Sequence, residues 1–182
     1  MSSVLRRIDH SHPFAPFLAE DLAQIKSSFQ NGFDPFQVDE NGSTCLMVAA
    51  GRGHAEAAHM ALKLCSDPDK LALAKNHAGM DAFDIAAERG ATTAMSVIAK
   101  HLPRGYASSS GRSLLWHAVE ASVGEPSLAE IWLFNLCLSG HQPSAPEALA
   151  RAVALDWKPG IARLTELITA QAQSPGSSQA DS

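Results

Sequence analysis

The sequence predicts an all-α fold: a solenoid of stacked helix–turn–helix units joined by short hairpin loops. Two observations carry this. A pair of apolar anchors recurs along the chain, and the recurrences are punctuated by a cap residue before the pair in three copies and by a glycine after it in two. One anchor is large (Leu46, Phe83, Leu115, Leu149) and the other is small and three residues later (Ala49, Ala86, Ala118, Ala152). Both series step by 37, 32 and 34 residues, and they stay locked together. A self-similarity of this period marks a repeat architecture, in which each unit buries its apolar face only against its neighbours.

The first full unit is "NGSTCLMVAAGRGHAEAAHMAL", Asn41 to Leu62, and "HAGMDAFDIAAERGATTAMSVIA", His77 to Ala99, aligns with it. A third copy begins at "SGRSLLWHAVEA" and continues into "LAEIWLFNLCLSG"; "APEALARAVALDWKPGIARLTELI" is the fourth. Thr44, Asp81 and Ser113 each stand just before an apolar residue that starts a helix, where a side-chain oxygen can accept from the free N–H groups of the first turn. Gly53 and Gly90 end the first helices at turns where a positive φ costs glycine little. Second helices follow, with Ala57, Ala58, Ala61 and Leu62 on the apolar side in one unit and Ala94, Met95, Val97 and Ile98 in the next. Asn41-Gly42 and Ala78-Gly79 mark the connecting hairpins.

At the N-terminal end, Phe14, Leu18, Leu22, Ile25 and Phe29 form an apolar stripe at helical spacing, with Pro16 at a tolerated first-turn position. This stripe predicts an N-terminal capping helix. At the other end, Ile161, Leu164 and Ile168 make one stripe, with Arg163 and Glu166 directed elsewhere. The expected organisation is a flexible segment over 1–13 and a single domain over 14–172. Within that domain a capping helix and loop span 14–40, repeats span 41–76, 77–108 and 109–143, and a capping repeat spans 144–172. The small, polar stretch 173–182 has the composition of a disordered tail.

Composition narrows the function. The chain has 182 residues, 46% of them hydrophobic and 18% charged, and a formal net charge of -5. It offers no basic excess for gripping nucleic acid. No run approaches the length of a membrane span, and the N-terminus has no apolar run of signal-peptide length. A cytoplasmic protein in a reducing compartment is expected. Cys45, Cys65 and Cys137 are widely spaced, with no CxxC pair, and are expected to be buried thiols.

No constellation points to catalysis, a cofactor or a metal. His10 and His12 form an HxH with no further ligand fixed by spacing, and His54 and His59 do not make a ligand pair. There is no GxSxG, Walker A or GxGxxG motif. Cys45 is the least implausible nucleophile, because it stands at a helix start, where the dipole favours a thiolate. A thiol-dependent enzyme using Cys45 is therefore the minor alternative.

The repeats resemble the ankyrin-repeat family. Gly42, Thr44, Leu46, Ala49, Ala50, Gly53, His54 and Glu56 fall at the family's motif positions. Upstream, "DLAQIKSSFQNGFDPFQVDENG" resembles the second helix and outgoing loop of a preceding repeat. The family's proline is replaced by Cys45, Ala82, Leu114 and Ala148. Its histidine is replaced by Met47, Asp84, Trp116 and Ala150, so the hydrogen bonds that histidine makes to neighbouring loops are expected to be absent. Insertions at "CSDPDKLALA" and "SVGEPS" lengthen the first and third repeats.

The resemblance implies a protein–protein interaction module acting as adaptor, inhibitor or regulator, with an exported host-directed effector as an alternative setting for the same surface. Carried over by position in the repeat, the partner-binding residues are Glu40, Asn41, Ser43 and Arg52 in the first repeat and His77, Met80, Glu88 and Arg89 in the second. In the third they are Arg112, Trp116 and Glu120. Arg104, Tyr106, Arg112 and Trp116 also cluster in sequence, and such residue types carry much of the energy of protein interfaces. The implied partner is a protein, neither nucleic acid nor membrane; its identity and the oligomeric state do not follow from the sequence.

Overall fold

A computed structural model describes residues 12–122, 133–135 and 144–173. His10, Cys137, the "SVGEPS" insertion beyond Ser122, most of the second helix of the third repeat and the 174–182 part of the tail lie outside the described residues. The chain divides into two compact units, Met1–Leu102 and Pro103–Ser182.

In the first unit, α1 (Ala15–Ala19), α2 (Leu22–Gln30), α3 (Cys45–Arg52), α4 (Ala55–Leu64), α5 (Pro68–Leu73), α6 (Ala82–Glu88) and α7 (Thr92–Ala99) follow in order. Helices α1, α3 and α6 pack in succession, and so do α2, α4 and α7, which makes two helical layers. Within each pair the first helix packs on the second. The core between the layers is aliphatic and small-residue rich: Leu46, Ala49, Ala50, Ala57, Ala58, Ala61, Phe83, Ala86, Ala94 and Ile98 are all fully buried. Alanine at both small-anchor positions lets neighbouring helices approach. Gly51 extends this: a Cβ there would meet Ile85 Cγ2 of α6 at 3.2 Å.

The caps form as the sequence indicates. Thr44 accepts from the Met47 N–H at 3.4 Å and Asp81 from the Asp84 N–H at 3.0 Å. The first helix of each pair then ends by the same device. The N–H groups of Asp21, His54 and Ala91 donate to carbonyls five residues back, on Pro16, Ala49 and Ala86. This long bond closes a helix only when the residue before the donor is left-handed. Gly53 and Gly90 supply that conformation with φ of 74° and 63°, and in the first pair Glu20 supplies it at 54°.

The N-terminal stripe is therefore two helices rather than one. Glu20 breaks it, and Asp21 caps α2 by accepting from the Gln24 N–H at 3.0 Å. Phe14 and Ile25 are fully buried, whereas Leu18, Leu22 and Phe29 are half-buried. Phe14, Phe17 and Phe33 stack edge-on and tilted around α1, with centroids 5.7–6.4 Å apart. The segment is a short helix pair built like those that follow it. Holding glutamate in the left-handed region costs about 1 kcal/mol. Glu20→Gly is accordingly expected to raise stability by about 0.5–1 kcal/mol, after the entropy glycine adds to the unfolded chain; a lowered midpoint in thermal circular dichroism would show that the side chain has a role of its own.

The insertion after Cys65 is helix α5. Asp67 caps it, accepting from the Lys70 N–H at 3.1 Å, and Pro68 occupies its first turn. Its side chains reach in two directions: Lys70 Nζ lies 5.0 Å from the Phe36 ring centroid, and Asp69 Oδ1 lies 3.0 Å from His101 Nδ1.

The second unit contains α8 (Leu114–Ala121), α9 (Ala145–Ala154) and α10 (Lys158–Gln173), with residues 133–135 also helical. Helix α9 packs on both α8 and α10. Ser113 caps α8 by accepting from the Trp116 N–H at 3.2 Å. The turn from α9 to α10 repeats the device of the first unit: Trp157 N–H donates to Ala152 O at 3.0 Å, and Asp156 is left-handed at φ 50°. Of the C-terminal stripe, Leu164 is fully buried and Ile161 and Ile168 are half-buried, while Arg163 and Glu166 pair on the exposed side at 3.1 Å.

Candidate partner-binding surface

Three hairpin turns share one construction. In the first, Asp39 Oδ1 accepts from the N–H groups of Asn41 and Ser43, both at 2.8 Å, and Asp39 N–H donates to Ser43 O. In the second, Asn76 Oδ1 accepts from Ala78 and Met80, both at 3.0 Å, and Asn76 N–H donates to Met80 O. In the third, which lies in the second unit, Ser108 Oγ accepts from Arg112 N–H at 3.1 Å and Ser108 N–H donates to Arg112 O. Gly42, Gly79 and Gly111 take the left-handed position, with φ of 75° in each. A short polar side chain thus closes each turn over its own backbone. Asp39, Asn76 and Ser108 stand five residues before the caps Thr44, Asp81 and Ser113, a fixed offset legible in the sequence but absent from the residues it singles out.

Locking the backbone fixes where the tip side chains project. Glu40 and Asn41 are exposed and Ser43 is half-buried. Beside them lies a shallow pocket of about 360 Å³ lined by His12, Pro13, Val38, Asp39, Glu40 and Asn41. In the second turn His77 is exposed and Met80 half-buried. His77 also has a structural contact, because its N–H donates to Asn41 O at 3.0 Å and its ring lies against Gly42, where a Cβ would fall 2.6 Å from Cδ2. Arg52 at the end of α3, and Glu88 and Arg89 at the end of α6, are exposed.

In the second unit, Arg112, Trp116 and Glu120 come together with two residues that sequence reasoning missed, Glu147 and Arg151 of α9. Arg112 Nη1 donates to Glu147 Oε1 at 3.2 Å, and Arg151 Nε donates to Glu120 Oε1. The guanidinium carbons of Arg112 and Arg151 lie 5.1 and 5.4 Å from the Trp116 ring centroid, within cation–π range. Of the arginine and tyrosine near this cluster in sequence, Arg104 is exposed and Tyr106 is buried, so Tyr106 belongs to the core.

The positions that depart from the histidine pattern are not left empty. Asp84 closes a reciprocal capping box with Asp81, and His117 Nε2 lies 3.0 Å from Ser108 Oγ, tying α8 to its own turn. His54 Nδ1 lies 3.1 Å from the Phe17 carbonyl, which joins the α3–α4 turn to α1. The expected loss of loop hydrogen bonding is thus made good in part by other residues.

Cys45 is no activated nucleophile. It is fully buried, its Sγ lies 3.7 Å from the Pro35 carbonyl, and desolvation pushes its thiol up to about 12. Burial overrides the helix start, because an ionised sulfur has no water there and the backbone N–H groups compensate only partly. Burial raises Cys65 as well. Iodoacetamide at pH 8 is expected to alkylate Cys45 at least about 100-fold more slowly than a free thiol, scored by peptide mass mapping; labelling at the free-thiol rate would contradict this. Among the described residues no group of three or more His, Cys, Asp or Glu side chains converges as a metal site would require, and no helix is long and apolar enough to cross a membrane.

Residues 15–62 match the family model described as ankyrin repeats (many copies). The matched span begins at α1 and ends in α4, so it takes in the short N-terminal helix pair as well as the first full repeat. No curated protein matches the chain.

Proposed function

We propose that this ankyrin-repeat chain is a protein-interaction module that binds a partner protein through its turn tips and the exposed positions of its first helices, as an adaptor, inhibitor or regulator. Ankyrin repeats are in general protein–protein interaction modules, typically without enzymatic activity. The observation that carries the reading here is the turn construction. Asp39, Asn76 and Ser108 each spend a side chain on holding a tip rigid, which lowers the entropy cost of presenting its side chains to a partner. The proposed contact residues are Glu40, Asn41, Ser43, Arg52, His77, Met80, Glu88 and Arg89 on the first unit and, taken by themselves, Arg112, Trp116 and Glu120 on the second. The proposed setting is the cytoplasm; delivery into a host cell would use the same surface. The net charge of -5 favours a protein partner over nucleic acid.

The test is affinity capture followed by mass spectrometry. The wild-type chain is expected to retain a specific partner that the Arg89→Ala, Arg112→Ala, Trp116→Ala triple variant loses, with helical circular dichroism unchanged. Undiminished capture by a folded triple variant would remove these residues from the surface.

A further inference from the structure

The Arg112–Trp116–Arg151 cluster admits a more specific reading, which rests on the interaction-module proposal. Its geometry is a ladder across two packed helices. Arg112, Trp116 and Glu120 succeed one another at four-residue intervals along α8 and the turn before it, so they share a face. Glu147 and Arg151, also four apart, face them from α9. The two ion pairs cross between the helices in opposite senses, and the indole lies between them.

The ion pairs leave donors unused. Arg151 reaches Glu120 through Nε alone, so its two terminal nitrogens have no hydrogen bond among the described residues. Those two nitrogens form one edge of the guanidinium fork, which matches the two oxygens of a carboxylate. Glu120 and Trp116 hold that edge in orientation; the Arg151 side chain is only 34% exposed. Arg112, at 50% side-chain exposure, offers further donors beside it. The half-buried indole supplies an apolar surface for whatever residue adjoins the carboxylate.

We propose that this cluster is a docking site for a carboxylate-bearing segment of a partner protein, with an Asp or Glu of the partner seated on the terminal nitrogens of Arg151 and its neighbour packed on Trp116. The two arginines and two glutamates of the cluster balance in charge, so the preference for an acidic over a cationic segment comes from the unused guanidinium edge of Arg151. The overall charge of -5 sharpens the test, because a chain of that charge has no general attraction for an acidic peptide.

The probe is a blocked hexaglutamate peptide, titrated into 15N-labelled full-length protein while the Trp116 indole N–H resonance is followed, with blocked hexalysine as control. Hexaglutamate is expected to shift the Trp116 signal saturably, hexalysine is not, and Arg151→Lys, which keeps the charge and loses the fork, is expected to weaken the effect about tenfold. No saturable shift, an equal response to hexalysine, or undiminished binding by Arg151→Lys would each overturn the proposal. Competition on the wild-type chain separates the two readings without relying on a variant. If affinity capture recovers a partner that excess hexaglutamate does not displace, the carboxylate site falls and the interaction module stands. If nothing specific is captured and hexaglutamate causes no shift, both fall.

Discussion

Gly160→Ala is expected to destabilise the protein by about 2 kcal/mol and to lower its thermal midpoint by about 4–8 °C. Gly160 lies in the first turn of α10, where alanine would ordinarily gain about 1 kcal/mol in helix propensity. The Trp157 ring reverses that sign. The six-membered ring of the indole lies against the glycine, so that a Cβ there would overlap Cε3 and Cζ3 and fall 2.8 Å from Cδ2. The ring cannot easily withdraw. Trp157 is buried, its backbone N–H donates to Ala152 O in the α9–α10 turn, and its ring packs edge-to-face with that of Phe134, centroids 4.9 Å apart. Thermal circular dichroism of Gly160→Ala, Trp157→Leu and the double variant checks this. The double variant is expected to be non-additive, losing less than the sum of the singles, because the alanine has nothing to strike once the indole is gone. A Gly160→Ala protein as stable as wild type would show that Trp157 moves aside without loss.

What the sequence discloses follows from which steps of folding demand a particular residue. Thr44, Asp81 and Ser113 are legible as caps because few side chains can serve a helix N-terminus. Gly53 and Gly90 are legible because a left-handed residue is usually glycine. Glu20 and Asp156 adopt the same conformation and were invisible for the same reason: neither residue type announces it, and the long bond to Pro16 O or Ala152 O imposes it from outside. This is why the stripe reads as one capping helix where two helices stand. The tip residues could be placed by register alone, since their exposure depends on position in the repeat. Glu147 and Arg151 could not, because their significance lies in Arg112 and Glu120 on another helix. Cys45 shows the opposite limit. The local signal was a thiol at a helix start; the deciding quantity, burial, belongs to the packed unit and pushes the thiol in the unreactive direction.

Asp81→Ala is expected to cost about 2 kcal/mol, the second large effect, and the comparison with Asp81→Asn identifies its source. Asp81 is fully buried at the start of α6 and carries two loads. As the cap, its Oδ1 accepts from Asp84 N–H, while Asp84 Oδ2 accepts from Asp81 N–H at 3.1 Å. As an anion, its Oδ2 lies 3.6 Å from Lys75 Nζ, which is also 4.0 Å from Asp84 Oδ2 and donates to Gly79 O at 3.2 Å. The ammonium therefore connects the α6 cap to the second hairpin turn. Lys75 is 48% exposed, however, and an ion pair so open to solvent contributes at most about 1 kcal/mol. The cap, sealed from water, has the greater share, since alanine would leave a buried N–H without its acceptor. Asp81→Asn keeps an acceptor oxygen and removes only the charge, so it is expected to recover most of what alanine loses, with little dependence on salt. Denaturant unfolding of the two variants at low and high ionic strength makes the distinction. Equal losses for asparagine and alanine, shrinking as salt is added, would transfer the stability from the cap to Lys75 and would make the second turn an electrostatically held element.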